Sequence, residues 1–306
     1  MKATKSKYLK NKKALDFSWG LFMIAPTMIG LFLLNIFPIF QTFYLSLTKT
    51  GTFGKSRFIG FQNYIDIFKD KMVMQSFANT FTYTIIVVPL GVFLSLVIAV
   101  LLNSKIKGKT IYRTLFFLPV VSAPAAVAMV WRWLFNSKFG LVNNMISSIG
   151  LKGPDWLLQP STAMFAIIVV GIWSMIGYNM IILLAGLQEI SPTFYEAAEI
   201  DGAGPVKQFF SITLPLVTPT FFFVVITTFI GSLQVFDVIY MMIDKKNEAL
   251  PGVQSVVMLF YRYSFERNMK GYGSAIIVLL FLVILVITFI QLKLQKIRKN
   301  GYIIRK

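Results

Sequence analysis

The sequence predicts an all-α membrane protein of six transmembrane helices, and three observations predict it. The composition has too little polar surface for a water-soluble globule, six apolar stretches reach spanning length, and basic residues gather at their flanks. Of 306 residues, 56% are hydrophobic and only 14% charged, and the mean hydropathy is +0.71. Much of the apolar surface therefore has to face lipid.

The stretches run from Phe17 to Leu47, Phe77 to Leu102, Thr114 to Phe135, Ser161 to Leu187, Leu214 to Ile243, and Tyr272 to Leu292. Each meets the requirement of about 20 helical residues for a hydrocarbon core. Pro26, Pro38, Pro89, Pro119, Pro124 and Pro219 lie inside them. They are expected to kink these helices rather than break them, because neighbouring helices re-satisfy the freed backbone groups.

Charge sets the expected orientation. Lys2, Lys5, Lys7, Lys10, Lys12 and Lys13 precede the first stretch, Lys105, Lys107, Lys109 and Arg113 crowd the short second loop, and Lys293, Lys296, Arg298, Lys299, Arg305 and Lys306 follow the last. The positive-inside rule puts all three segments in the cytoplasm, and with an even number of spans the fourth loop falls inside as well. Both termini are thus expected inside a bacterial plasma membrane. The chain divides into a basic N-terminus (1–16), a transmembrane domain (17–292) and a basic tail (293–306). Lys49, Lys55, Arg57, Lys245 and Lys246 lie in longer outer loops at lower density. A net charge of +18 invites a nucleic-acid reading, but these charges flank apolar runs instead of forming one basic face, so no nucleic acid is expected. Trp131, Trp133 and Trp156 read as interfacial anchors, with Arg132 able to snorkel outward. The lysine-rich start resembles a secretory signal, yet its apolar run is long and lacks a small-residue cleavage site, so it reads as a retained first helix.

Absences narrow the chemistry. The chain has no Cys and no His, hence no disulfide, thiolate nucleophile, imidazole base or ordinary zinc site. Gly108-Lys109-Thr110 looks like the end of a phosphate-binding loop, but Asn103 occupies the required glycine position, and Gly54-Lys55-Ser56 fails likewise at Lys49. No cofactor or metal is expected on this chain. Within the six stretches only Arg132 and Asp237 are charged, both near the predicted outer ends. Buried ionisable groups mark proton and ion coupling, so their scarcity favours an external energy source, although a secondary transporter using carbonyls and hydroxyls stays open. Continuous apolar spans without a charged ring argue against a channel.

The polar loop between the fourth and fifth stretches, 188–211, is the most specific feature. Ser191-Pro192 supplies an N-cap and a first-position proline, Ile190 to Ile200 can form a short helix, Gly202 and Gly204 free the backbone to stop and turn, and Pro205 suits the start of a second helix. An amphipathic surface helix with a glycine stop is the plain alternative. The full pattern is Glu196-Ala197-Ala198, three residues, Gly202, nine residues, Ile212, one residue, Leu214-Pro215, with Asp201 directly before the glycine. It resembles the signature loop of the membrane subunits of importer-type ABC transporters.

Further motifs extend the resemblance over about residues 15 to 295, toward the carbohydrate branch of these permeases and the maltose-permease large subunit without its extra N-terminal spans. They are Phe58-Ile59-Gly60-Phe61-Gln62-Asn63-Tyr64, Arg113-Thr114-Leu115-Phe116-Phe117-Leu118-Pro119, Trp131-Arg132-Trp133-Leu134-Phe135 with Gly140-Leu141-Val142-Asn143, and Gln234-Val235-Phe236-Asp237-Val238-Ile239-Tyr240. Many relatives carry a Gly-Gly-Pro run after the fifth span, where this chain has Asp244 to Gly252. The resemblance implies an importer-type ABC permease fold whose cytoplasmic coupling helix docks on a separate ATPase, with Glu196 facing basic residues there and Gly202 as the turn glycine. It implies a second homologous permease, two ATPase subunits that use ATP and Mg, an extracellular solute-binding protein, and no catalysis by this chain. A sugar or oligosaccharide is the implied substrate; a glycerol-phosphate or polyol is the alternative, disfavoured by the lack of mid-membrane Arg or Lys. A pyranose has apolar faces and polar edges, so Trp173, Tyr178, Asn179, Gln234, Asp237 and Tyr240 are candidates for a central cavity, with helix packing or interfacial anchoring as the alternative for each.

Overall fold

The computed structural model describes residues 2–50, 56–104 and 106–303, with side chains described for 16–50, 56–104 and 106–296. The side chains of Lys2 to Lys13, Arg298 and Lys299, and residues Gly54, Lys55, Lys105, Arg305 and Lys306, on which parts of the charge and phosphate-loop arguments rest, lie outside the described residues.

Helix α1 (Lys2–Leu31) passes through a π-helical turn (Phe32–Ile36) into α2 (Phe37–Ser46). Pro38 cannot donate to the carbonyl four residues back and its ring crowds that carbonyl, and the wider turn just ahead of it relieves the conflict without ending the span. A short antiparallel ribbon pairs Thr48–Thr50 with Ser56–Phe58 and leads to α3 (Gln62–Lys69). Asn63 is buried and donates to the carbonyls of Ser46 at 2.8 Å and Thr48 at 2.9 Å, while the Tyr64 hydroxyl reaches Ser46 Oγ at 2.8 Å. That is the structural content of the first-loop motif: it staples the end of α2 to α3.

Asp70 caps α4 (Lys71–Asn103) by accepting the Met72 N–H at 2.8 Å. Pro89 sits inside α4 without ending it, as Pro26 and Pro219 do in their helices. The third predicted span behaves differently. It is two helices, α5 (Lys109–Val121) and α6 (Pro124–Leu134), bent by 102°. Pro124 pushes its predecessor out of the helical region, Ser122 and Ala123 are both extended, and the expected kink becomes a break.

After α7 (Leu141–Ser148), α8 (Pro160–Gln188) returns through the core. Then follow α9 (Pro192–Ile200), α10 (Pro205–Gln208), a π-helical turn (Phe209–Thr213) and α11 (Leu214–Leu233). The fifth predicted span also differs from expectation: it stops at Leu233 and resumes, after Gln234–Phe236, as α12 (Asp237–Met242). No proline explains this break. Ser255 Oγ donates to the Val235 carbonyl at 2.6 Å, so the non-helical carbonyl is satisfied from outside the span. Helices α13 (Leu250–Val253) and α14 (Val256–Tyr261), a π-helical turn (Arg262–Glu266) and α15 (Lys270–Ile303) complete the chain. Among the described residues five helical runs are long and apolar enough to cross a bilayer, Asp16–Ser46, Lys71–Asn103, Pro160–Gln188, Pro205–Leu233 and Lys270–Lys296, and a sixth if the bent pair counts as one.

Helices α4 and α8 form the centre and run parallel. Tyr83 and Val87 pack with Ala163, Ala166 and Val170 toward one end, and Leu96, Ala99 and Leu102 with Leu183 and Leu187 toward the other. Glycines on α8 permit the approach of three neighbours: Gly171 lies under the Tyr83 hydroxyl of α4, Gly177 against the Phe116 carbonyl of α5 and Gly186 against Thr220 of α11. The start of α15 packs with Ile67 and Val73 at the α3 end. The far ends of α1 and α15 therefore lie at the same end of the bundle as α9 and the start of α5.

Two interfacial readings change. Trp131 stacks on Phe135 at 5.4 Å and meets Trp173 edge-on at 5.5 Å, and Trp156 donates to Asn143 Oδ1 at 2.6 Å while packing on Phe135 and Phe165. These rings bind protein. Arg132 does not reach outward alone but pairs with Asp244 at 2.8 Å. Trp133 stays exposed.

Candidate functional site

The break after α11 opens a cavity of about 330 Å³ between α4, α8, α11 and α12. Of the six residues expected at a central site, Tyr178, Asn179, Gln234 and Asp237 line it. Trp173 and Tyr240 are not among its lining residues. Trp173 turns its ring to Trp131, and Tyr240 stacks on Phe236 at 5.1 Å and meets Tyr261 edge-on at 5.3 Å. The cavity adds Tyr83, Thr227, Thr228 and Ser232, which the sequence reading did not select. Their signal was present: hydroxyls in an otherwise apolar run, with Thr228 and Ser232 one turn apart on one helix face.

The polar groups differ in what they leave free. Asn179 and Thr228, both buried, exchange hydrogen bonds at 3.0 and 3.2 Å. Thr227 turns its hydroxyl back to the Phe223 carbonyl at 2.9 Å. Ser232, 4% exposed, has no hydrogen-bond partner for Oγ among the described residues. Gln234 and Asp237 are exposed on the cavity, with the Tyr178 ring and Phe236 as apolar surfaces beside them. Amides, hydroxyls and one carboxylate around aromatic faces suit a polyhydroxylated ligand. Outside this wall Lys245 lies 2.7 Å from Glu266, whose hydrogen bond raises the ammonium pKa above its ordinary value. Arg262 bonds Gln254 and stands 3.9 Å from Glu266.

At the other end of the bundle, α9 carries the Glu196 motif on a helix with no buried residue. Among the described residues, its side-chain hydrogen bond to the rest of the bundle is from Tyr195, whose hydroxyl is 3.0 Å from that of Thr213. Ser191 occupies the N-cap position with Pro192 following, but its hydroxyl pairs with Thr193 Oγ1 at 2.9 Å and does not cap the backbone. The far end closes as a Schellman motif: Ala203 N–H donates to the Ala198 carbonyl at 2.8 Å and Gly202 N–H to that of Glu199 at 3.0 Å, with Gly202 at φ 74°. Gly204 lies at φ −69°, where any residue fits, so the freedom expected of it goes unused. Glu196, Ala197, Glu199 and Asp201 are exposed, as are Ile200 and Val206 at 88% and 72%.

Comparison with known proteins places the chain in a family. Residues 88–298 match the family model described as binding-protein-dependent transport system inner membrane component. The chain is 33% identical to the trehalose/maltose transport system permease protein MalF of Thermococcus litoralis over 92% of its own length and 95% of that protein. It is 33% identical to the sn-glycerol-3-phosphate transport system permease protein UgpA of Escherichia coli O157:H7, over 89% and 92%. A solved bacterial ABC transporter involved in the import of the acidic polysaccharide alginate has the same fold, with a TM-score of 0.84 at 23% identity over 94% of this chain and 98% of that one. The chain is a multi-pass membrane protein that belongs to the binding-protein-dependent inner membrane component family, the permease subunits of sugar and glycerol-phosphate ABC importers.

Proposed function

We propose that this chain is one of two non-identical permease subunits of an importer that receives a sugar or oligosaccharide from an extracellular solute-binding protein and is driven by a pair of separate ATPases. In this reading the bent α5–α6 pair is one span, making six, both termini and α9 are cytoplasmic, and Glu196, Ala197, Ala198, Asp201, Gly202 and Gly204 form the coupling surface. ATP and Mg belong to the ATPases, and this chain catalyses nothing. Closure of the ATPases draws the coupling helices together and tilts the spans from inward-open to outward-open, so that the loaded binding protein releases sugar toward the cavity.

The observation that carries this reading is the exposure of α9. A short helix with no buried residue is not stabilised by its own packing, and this one presents Ile200 with Glu196, Glu199 and, at its end, Asp201, while Val206 is exposed on α10, on a chain of net charge +18. An apolar and acidic face suits a groove with basic rims on another protein. The relatives named for trehalose, maltose and glycerol-phosphate transport support the substrate class. A coupling role predicts that Glu196→Lys weakens co-purification of the ATPase or abolishes substrate-stimulated hydrolysis while the permease still inserts. Loss of one member of a desolvated interfacial charge pair costs about 2–5 kcal/mol, whereas a solvated glutamate would cost almost nothing. Reconstitution with binding protein and ATPase decides, and coupling at the wild-type level in this variant would refute the assignment.

A further inference from the structure

We infer that the cavity at the α11–α12 break selects its sugar by charge, with the Asp237 carboxylate admitting uncharged or amine-bearing saccharides and turning away anionic ones. The inference rests on the importer reading above and names the substrate class for the same site.

The lining of the cavity contains Asp237 and no Lys or Arg. Arg132, Lys245 and Arg262 are each engaged with another carboxylate: Arg132 with Asp244 at 2.8 Å, Lys245 with Glu266 at 2.7 Å, and Arg262 with Glu266 at 3.9 Å. Asp237 is in none of the ion pairs among the described residues, and it is exposed on the cavity. Its negative charge is therefore not neutralised locally. In a recess that has Met175, Val235, Phe236 and Val238 among its walls beside the hydroxyls and amides, that field is screened less than it would be on an open surface.

A second observation points to a ligand rather than to a bare charge. Ser232 belongs to the wall of the same cavity, and its buried Oγ has no hydrogen-bond partner among the described residues. A helical serine ordinarily returns its hydroxyl to the preceding turn, as Thr227 does here, so an unspent one calls for a partner from the cavity. The Asp237 carboxylate accepts sugar hydroxyls, the Gln234 amide both donates and accepts, and the Ser232 hydroxyl does the same. Together they satisfy a neutral polyol. A carboxylated, sulfonated or phosphorylated sugar would bring an anion to a carboxylate with no cation beside it.

The absence of cysteine makes a direct test available. A single cysteine at Thr227 is modified with methanethiosulfonate reagents bearing either a trimethylammonium or a sulfonate group, and rates are normalised to a cysteine at exposed Ser147. The cationic reagent should react about tenfold faster at the cavity, and Asp237→Asn should bring the ratio near one. A ratio near one with Asp237 intact, or a preference that survives both Asp237→Asn and Asp237→Ser, overturns the inference. The assembled importer supplies the second arm, with a neutral oligosaccharide and an oligouronide as probes. Uptake of the oligouronide should emerge only in Asp237→Asn. Wild-type uptake of the oligouronide would overturn charge selection and leave the importer standing. An assembly that carries no saccharide of either charge would remove the sugar-import function, and charge selection of sugars with it, while the labelling ratio still reported the field.

Discussion

Gly202 and Gly204 flank the same turn and look equivalent in the sequence, yet their backbones separate them. Gly202 sits at φ 74° and closes α9, with nothing within 4 Å of where a Cβ would stand. The whole cost of a side chain there is conformational, about 1–2 kcal/mol for a left-handed residue. Gly204 is at φ −69° with equally open space. Gly202→Val should therefore fray the end of α9 and lower stimulated ATPase activity in the reconstituted importer, while Gly204→Ala should leave the melting temperature of the purified permease unchanged. If Gly204→Ala alone uncouples, an ATPase surface must approach that Cα closely, and the difference will be seen only in the complex. Gln234 offers a second residue-scale expectation. Gln234→Leu removes one polar edge of the cavity, and a lost hydrogen bond of about 1 kcal/mol should raise the substrate concentration for half-maximal uptake several-fold without affecting assembly.

Between elements, the notches on α8 and the polar ties at the α3 end do the positioning. A Cβ at Gly177 would overlap the Phe116 backbone carbonyl, so Gly177→Ala must push α5 off α8; overpacking of this kind costs about 1–3 kcal/mol. At Gly91 the obstacle is the thioether of Met175, a flexible side chain that also lines the cavity. Gly91→Ala should fall at the low end of that range in thermal melts and still alter uptake, because Met175 must shift and its side chain is part of the cavity wall. At the other end, Asp70 Oδ2 accepts from the hydroxyls of Tyr263 at 3.1 Å and Tyr272 at 3.0 Å, tying the start of α4 to α15 and the turn before it. Burial, and after it the Asp70 charge, raises the Tyr263 pKa above its ordinary 10.0. A tyrosine whose folded pKa is raised stabilises the fold fully below its unfolded pKa, and that contribution is lost as pH rises through the folded one. Melting temperatures should fall above about pH 10, and Tyr263→Phe should shallow that alkaline limb.

For the whole molecule, the topology follows from the ends of the bundle. The α9 loop lies at the end where α1 begins and α15 finishes, while α3, the start of α4 and the start of α15 meet at the other. Cysteines placed singly at Ser147 and Ser211, both exposed, should label from opposite sides of the membrane, and labelling of both from outside would overturn the six-span arrangement. Composition and flanking charge were enough to read the apolar spans, because hydropathy and Lys/Arg bias are properties of the chain itself. The Glu196 motif was legible for the same reason: its helix start, its Schellman glycine and its acidic face are local. What only the tertiary structure decided is where spans break. Pro124 marked a bend but not its 102°, and nothing in Gln234-Val235-Phe236 announces that α11 stops there. The Val235 carbonyl is released from helix because Ser255, on a later segment, takes it at 2.6 Å. A break satisfied by a residue remote in sequence leaves no local signature, and the cavity at that break, with Tyr83 from α4 and Thr228 from α11 on its wall, exists only once α4, α8, α11 and α12 have packed.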